Sequence, residues 1–113
     1  MPKTQTIIAA DIDDLAFRAA ELFKAAARSN IDQRGRFVVA LSGGSTPRGM
    51  HRLLAGPSAQ IEIPWEQTHV FWVDERCLPA SDPESNLGTA WRDMLQVLPL
   101  PRENLHFVRG DFP

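Results

Sequence analysis

Two short apolar runs, each broken off by residues of a different kind, constrain this chain more than anything else in it. Arg36-Phe37-Val38-Val39-Ala40-Leu41 runs into Ser42-Gly43-Gly44, and His69-Val70-Phe71-Trp72-Val73 runs into Asp74-Glu75-Arg76. Apolar runs without polar alternation fit strands buried on both faces, the usual state of a parallel sheet. Between and around them lie segments of helical periodicity and no internal repeat. The default architecture is therefore α/β with a parallel sheet.

A helix is expected over residues 11–29, because Ile12, Leu15, Ala16, Ala19, Phe23, Ala26 and Ala27 recur at three and four. Asp11, Asp13 and Asp14 stand where its dipole favours negative charge. A short strand over residues 6–9 is expected to precede it. Thr46-Pro47 reads as an N-cap with proline at the first helical position, opening a helix to Leu54 that Gly56-Pro57 closes, with a polar loop beyond. Asp82-Pro83 repeats that signal for a helix over residues 82–97, with Leu87, Trp91, Met94, Leu95 and Leu98 on its apolar face. A last strand is expected over residues 105–108.

Charge and composition exclude several classes. Twelve Lys and Arg against fourteen Asp and Glu give a net charge of −2 over 113 residues, without the basic excess of a phosphate-tracking nucleic-acid surface. Nucleic acid is not an expected partner. No apolar stretch approaches the length of a membrane span, and Met1-Pro2-Lys3-Thr4-Gln5-Thr6 lacks the apolar core of a secretory signal, so no membrane association and a cytoplasmic location are expected. The single Cys77 allows no internal disulfide and is expected to be a buried thiol. One cysteine and three scattered histidines lack metal-ligand spacing, and no cofactor is expected. Residues 1–113 read as one α/β domain. The chain closes on Arg109-Gly110-Asp111-Phe112-Pro113 directly after an apolar run, which reads as a fragment cut short at its C-terminal end.

The chemistry concentrates in two segments. In Leu41-Ser42-Gly43-Gly44-Ser45-Thr46-Pro47, two glycines let backbone approach a ligand, Ser45 and Thr46 add hydroxyls, and a helix start supplies free N–H groups. Those are the parts of a phosphate cradle, and equally of a tight strand-to-helix turn that needs glycine for geometry alone. The segment lacks the lysine of a P-loop and the third glycine of a dinucleotide fingerprint. Asp74-Glu75-Arg76 ends the other apolar run. Strand ends in a parallel sheet are close neighbours, so this triplet can face the crevice of the glycine loop. Arg76 can hold a phosphate or stabilise an oxyanion, with Asp74 and Glu75 orienting a sugar hydroxyl or the arginine; a solvated loop with a local ion pair would look the same. His51, His69 and His106 have no carboxylate at relay spacing, so structural or surface roles are expected. Trp65, Trp72 and Trp91 are expected to pack in or beside the core.

Taken in order, Leu41-Ser42-Gly43-Gly44-Ser45-Thr46-Pro47, Trp72-Val73-Asp74-Glu75-Arg76-Cys77-Leu78-Pro79 and Asp82-Pro83-Glu84-Ser85-Asn86-Leu87 resemble the 6-phosphogluconolactonases, within the larger glucosamine-6-phosphate isomerase/lactonase family. The resemblance spans residues 11–111 and corresponds to the first half of a family member. It implies a doubly wound, mostly parallel, Rossmann-like α/β fold and hydrolysis of 6-phospho-D-glucono-1,5-lactone to 6-phosphogluconate in the oxidative pentose phosphate pathway. It implies substrate and phosphate binding by Gly43, Gly44, Ser45, Thr46, Glu75 and Asn86, and catalytic parts for Arg76 and Asp74. The implied partner is a small sugar phosphate, 6-phosphogluconolactone. Ser85-Asn86 falls on the family's Ser-Asn pair. The deaminase branch carries tyrosine where Arg76 stands and Ser-Tyr where Ser85-Asn86 stand, so these positions favour the lactonase over an isomerase or deaminase. A sugar-phosphate-binding module without catalysis is the alternative from another class.

One departure bears on chemistry. The general base of the resembling family is a histidine in a Gly-x-x-x-Asp-Gly-His segment, and this sequence contains no such segment. Positioned bases contribute about a hundred- to ten-thousand-fold. The chain as it stands is therefore expected to turn over poorly.

Overall fold

The computed structural model describes residues 3–110; Met1, Pro2 and the closing Asp111-Phe112-Pro113 lie outside them. Three parallel strands, β1 (Phe37–Leu41), β2 (Thr68–Trp72) and β3 (Leu105–His106), form a sheet in the order β1-β2-β3. Helix α1 (Ile12–Arg34) precedes β1. Two short helices, α2 (Arg48–Leu54) and α3 (Pro57–Glu62), join β1 to β2, and α4 (Asn86–Asp93) joins β2 to β3. This is the expected parallel α/β layout.

The two apolar runs form strands, but they alternate. Phe37, Leu41, Thr68, Val70 and Trp72 are buried, whereas Val38, Ala40 and Phe71 are exposed. The expectation of burial on both faces is thus corrected. One core holds Ala20, Phe23 and Ala27 of α1, Leu54, Ala59 and Ala90 of the other helices, and Trp65, Met94, Leu95 and Leu98. All of it packs on the inner face of the strands. On the opposite face His69 Nδ1 and His106 Nε2 lie 3.0 Å apart, and the His106 ring stacks on Phe71.

Local signals account for most boundaries. Asp11 caps α1 by accepting the Asp14 N–H at 2.7 Å, and the Asp14 carboxylate accepts the Ala10 N–H at 2.8 Å. The helix runs to Arg34, five residues past the expected end, and stops at Gly35 in the left-handed conformation. Its buried stripe is narrower than expected: Phe23 and Ala27 are buried, with Ala20, which the periodicity omitted, while Ile12, Leu15 and Ala26 are exposed.

Residues 6–9 form no strand; Ile7 and Ile8 are exposed, and the outer edge of β1 pairs with nothing among the described residues. β-branched propensity makes a strand only where a ladder partner is in reach. Gly56-Pro57 starts α3 instead of opening a polar loop, because proline at N1 suits a helix beginning as well as a helix stop. The last strand is two residues long, and β2 is shifted back by one residue. Cys77 is exposed, on the loop that leaves the charged triplet and not in the core. Trp65 and Trp72 are buried and Trp91 is partly exposed, as packing residues should be. Among the described residues no helix is long and apolar enough to cross a membrane.

Candidate functional site

The register of β1 and β2 builds the site. Leu41 and Trp72, the last residues of the two strands, are paired, and the Val73 N–H extends the ladder to the Leu41 carbonyl at 2.9 Å. The glycine loop and the acidic triplet therefore leave the same sheet edge side by side. This is the carboxyl end, where open α/β sheets bind ligands.

Glu75 ties the triplet to α4. Its carboxylate accepts the N–H groups of Asn86 (2.7 Å) and Leu87 (2.9 Å) at the start of α4, the Ser85 hydroxyl (3.1 Å) and the Arg76 N–H (2.7 Å). Burial pushes this carboxyl up, but the N–H groups of Leu87, Arg76 and Asn86 and the Ser85 hydroxyl outweigh it and hold it below its ordinary range. Ser85 in turn accepts the Gly88 N–H at 3.1 Å, so α4 has a charged and a neutral cap. Proline at 83 does not begin the helix. Asp82 instead accepts the Glu84 N–H at 2.9 Å in a turn, and Ser85 is the N-cap; the helix ends at Asp93, short of the expected Val97.

That anchoring delivers Asn86. Its Nδ2 donates to the Asp74 carbonyl at 3.2 Å and to Asp74 Oδ1 at 3.1 Å. On the other side it packs against Gly43, where a Cβ would overlap the Asn86 carboxamide. Gly44 has φ +92°, a conformation that side chains rarely adopt, and nothing stands within 4 Å of where its Cβ would be. Gly43 is thus required by close approach and Gly44 by backbone conformation. Thr46 is not an N-cap: Pro47 takes that position without a side-chain bond, and α2 starts at Arg48.

One cavity of about 220 Å³ collects Gly44, Ser45, Arg76 and Asn86, together with Arg48, Pro83, Glu84 and Thr89. Residues of three separate motifs converge there. Arg76 is exposed, and its guanidinium makes no hydrogen bond or ion pair among the described residues. Asp74, Glu75 and Gly43 lie behind the cavity through Asn86, and Thr46 lines a neighbouring one with Ser45, Arg48 and Arg52. A larger cavity of about 610 Å³ flanks α4 and β3, but Leu87, Trp91, Leu105 and Phe107 make it mainly apolar and no motif residue but Leu87 touches it.

Sequence reasoning missed Arg48 and Asp93. Arg48 donates to the Asp93 carboxylate through Nε (2.7 Å) and Nη2 (3.0 Å), an α2-to-α4 pair with no local sequence signal. It also missed Thr89, which lies one turn beyond Asn86 on α4 and could have been found from that spacing. His51 is buried in α2, and both its ring nitrogens lack a partner among the described residues. None of the three histidines lines the cavity.

Residues 10–112 match the family described as glucosamine-6-phosphate isomerases/6-phosphogluconolactonase. The chain belongs to this family. It is 38% identical to a 6-phosphogluconolactonase of a Nostoc species over 111 residues, 96% of this chain and 43% of that protein. It is 41% identical over 100 residues to the rabbit GDH/6PGL endoplasmic bifunctional protein, covering 88% of this chain and 12% of that one. The 6-phosphogluconolactonase structure from Trypanosoma cruzi superimposes with a TM-score of 0.83 at 25% identity, over 96% of this chain and 40% of that one. The family's Rossmann-like fold is therefore present here in part, with three strands and the helices of one face. The chain spans less than half the length of these relatives.

Proposed function

We propose that this chain carries the substrate-holding side of a 6-phosphogluconolactonase site, which in a full-length family member hydrolyses 6-phospho-D-glucono-1,5-lactone to 6-phosphogluconate. The observation that carries the reading is the convergence of Gly44, Ser45, Arg76 and Asn86 in one cavity at the carboxyl edge of the sheet. The relatives named 6-phosphogluconolactonase support it. The small sugar phosphate is the partner this reading implies, and a cytoplasmic setting goes with it.

The chemistry follows from charge. Attack of water on the lactone carbonyl places negative charge on its oxygen. The exposed Arg76 guanidinium is a donor for that charge, a contribution typically about 3 kcal/mol. Asp74 fixes Asn86 by two bonds, so Asn86 presents a set orientation to the ligand. Ser45, Thr46 and the open space over Gly44 serve the phosphate. Glu75 acts from behind, holding the start of α4. The attacking water needs a base, and no histidine of this chain stands in the cavity. By itself the chain binds sugar phosphate weakly and turns over poorly.

Titration of the chain with 6-phosphogluconate, alongside a lactone hydrolysis assay, tests this. Saturable binding with hydrolysis near the spontaneous rate is the expected result, and Arg76→Ala should weaken binding with folding intact. Hydrolysis well above the spontaneous rate would overturn the account of the base. Ammonia release from glucosamine 6-phosphate would replace the lactonase by the deaminase reading.

A further inference from the structure

Arg48 is the one charged residue that, with Ser45, lines both cavities beside the Ser45-Thr46 turn. Its guanidinium is clamped by Asp93, Nε to Oδ2 at 2.7 Å and Nη2 to Oδ1 at 3.0 Å, which leaves Nη1 outside the pair. The pair is asymmetric: the Asp93 side chain is 8% exposed and that of Arg48 41%. Arg52 Nε approaches the same carboxylate at 3.9 Å. Two guanidiniums therefore share one buried carboxylate, so the Arg48-Arg52-Asp93 cluster itself is net positive, with Asp13 the acidic residue across the same cavity. An ion pair serving only to tie α2 to α4 has no need of this excess.

We infer that Arg48 is the cationic anchor for the phosphate of the ligand, with Arg76 left to the lactone oxygen, and that Asp93 is the residue that positions it. This rests on the sugar-phosphate reading of the site and deepens it, by assigning selectivity for phosphorylated over unphosphorylated sugar acids. A guanidinium already fixed in its plane has little rotamer freedom left to lose when an anion arrives. Ser45 and Arg48 line both cavities and Thr46 lines one, so two hydroxyl residues and a guanidinium lie within one short stretch of chain as donors for a tetrahedral dianion. Glu84 lines the same cavity and would repel a phosphate placed against it. The phosphate therefore sits at the Ser45-Arg48 end, and Glu84 faces sugar hydroxyls.

The test is calorimetric titration of the 113-residue chain, and of its Arg48→Met, Arg48→Lys and Asp93→Asn variants, with 6-phosphogluconate and with gluconate; thermal melts report folding. The chain should prefer 6-phosphogluconate, and Arg48→Met should shrink that preference about tenfold or more, the loss of one charge-assisted contact. Arg48→Lys should retain part of it, since the charge survives and the fork does not. Asp93→Asn should reduce the preference although Arg48 is present. Undiminished preference in Arg48→Met overturns the inference and leaves the sugar-phosphate reading standing. Absence of 6-phosphogluconate binding by the unaltered chain overturns that reading and the inference with it. A lower melting temperature with unchanged preference in Asp93→Asn removes Asp93 as a positioning residue.

Discussion

The carboxamide of Asn86 occupies the space into which a side chain on Gly43 would extend. Asn86 cannot easily withdraw, because Asp74 holds its Nδ2 through both the backbone carbonyl and Oδ1. Gly43→Ala should therefore destabilise the chain by about 1–3 kcal/mol, the usual cost of overpacking. Gly43→Ala combined with Asn86→Ala should cost less than the sum of the two single changes. Denaturant unfolding of the four proteins in this cycle measures the coupling; strict additivity would show that the two residues do not share the space.

Gly44 is one residue further on and is required for a different reason. With φ at +92° and open space around the missing Cβ, Gly44→Ala should cost about 1–2 kcal/mol through the backbone, and Asn86→Ala should not relieve it. The proposed function puts the ligand in that open space. Gly44→Val should accordingly weaken 6-phosphogluconate binding beyond what Gly44→Ala does, with circular dichroism reporting an unaltered fold.

Glu75 makes the start of α4 sensitive to acid. Its carboxyl is held below the ordinary 4.5 because, despite burial, three backbone N–H groups and a hydroxyl bind the charged form. A depressed folded value means that the unfolded chain takes up the proton first. The stabilisation is therefore present above about pH 4.5 and is lost as pH falls through the folded value. Glu75→Gln should lower stability at pH 7 by about 1–3 kcal/mol, since an amide nitrogen then faces N–H donors. It should also flatten the pH dependence of stability below 4.5. Melting curves from pH 7 to 3 check both; an unchanged acid slope in Glu75→Gln would take Glu75 out of the capping role.

Local chemistry made much of this molecule legible. The two apolar runs became β1 and β2, whose paired last residues Leu41 and Trp72 bring Gly44, Arg76 and Asn86 together, although the second run was expected to end one residue later, at Val73. What stayed hidden depends on tertiary neighbours. Val38 and Phe71 are exposed although their runs are apolar, because a strand's burial is decided by what covers each face and not by its own residues. The cap at Asp82 went to a turn since Ser85, with Glu75 behind it, offers the start of α4 more bonds than a local aspartate can. Arg48 and Asp93 meet across 45 positions of sequence, and nothing near either residue announces the other.

His51 supplies a second pH window, above that of Glu75. It is 3% exposed, with both ring nitrogens unpartnered among the described residues. Burial pushes its pKa below 6.5; the Asp93 carboxylate opposes this and the Arg48 guanidinium adds to it. The unfolded chain therefore binds the proton first, and stability falls as pH drops from 6.5 toward the lower folded value. His51→Leu removes a buried polar ring that makes no bond, so it should raise stability at pH 7 by about 1–2 kcal/mol. It should also abolish the loss of stability just below pH 6.5 while leaving the loss at lower pH, to which Glu75, Asp93 and Asp14, all held below their ordinary values, contribute. Denaturation midpoints for the chain and His51→Leu at pH 7.5, 6 and 5 separate the two groups. A pH 6 loss of equal size in both proteins would show that His51 is not the group that titrates there.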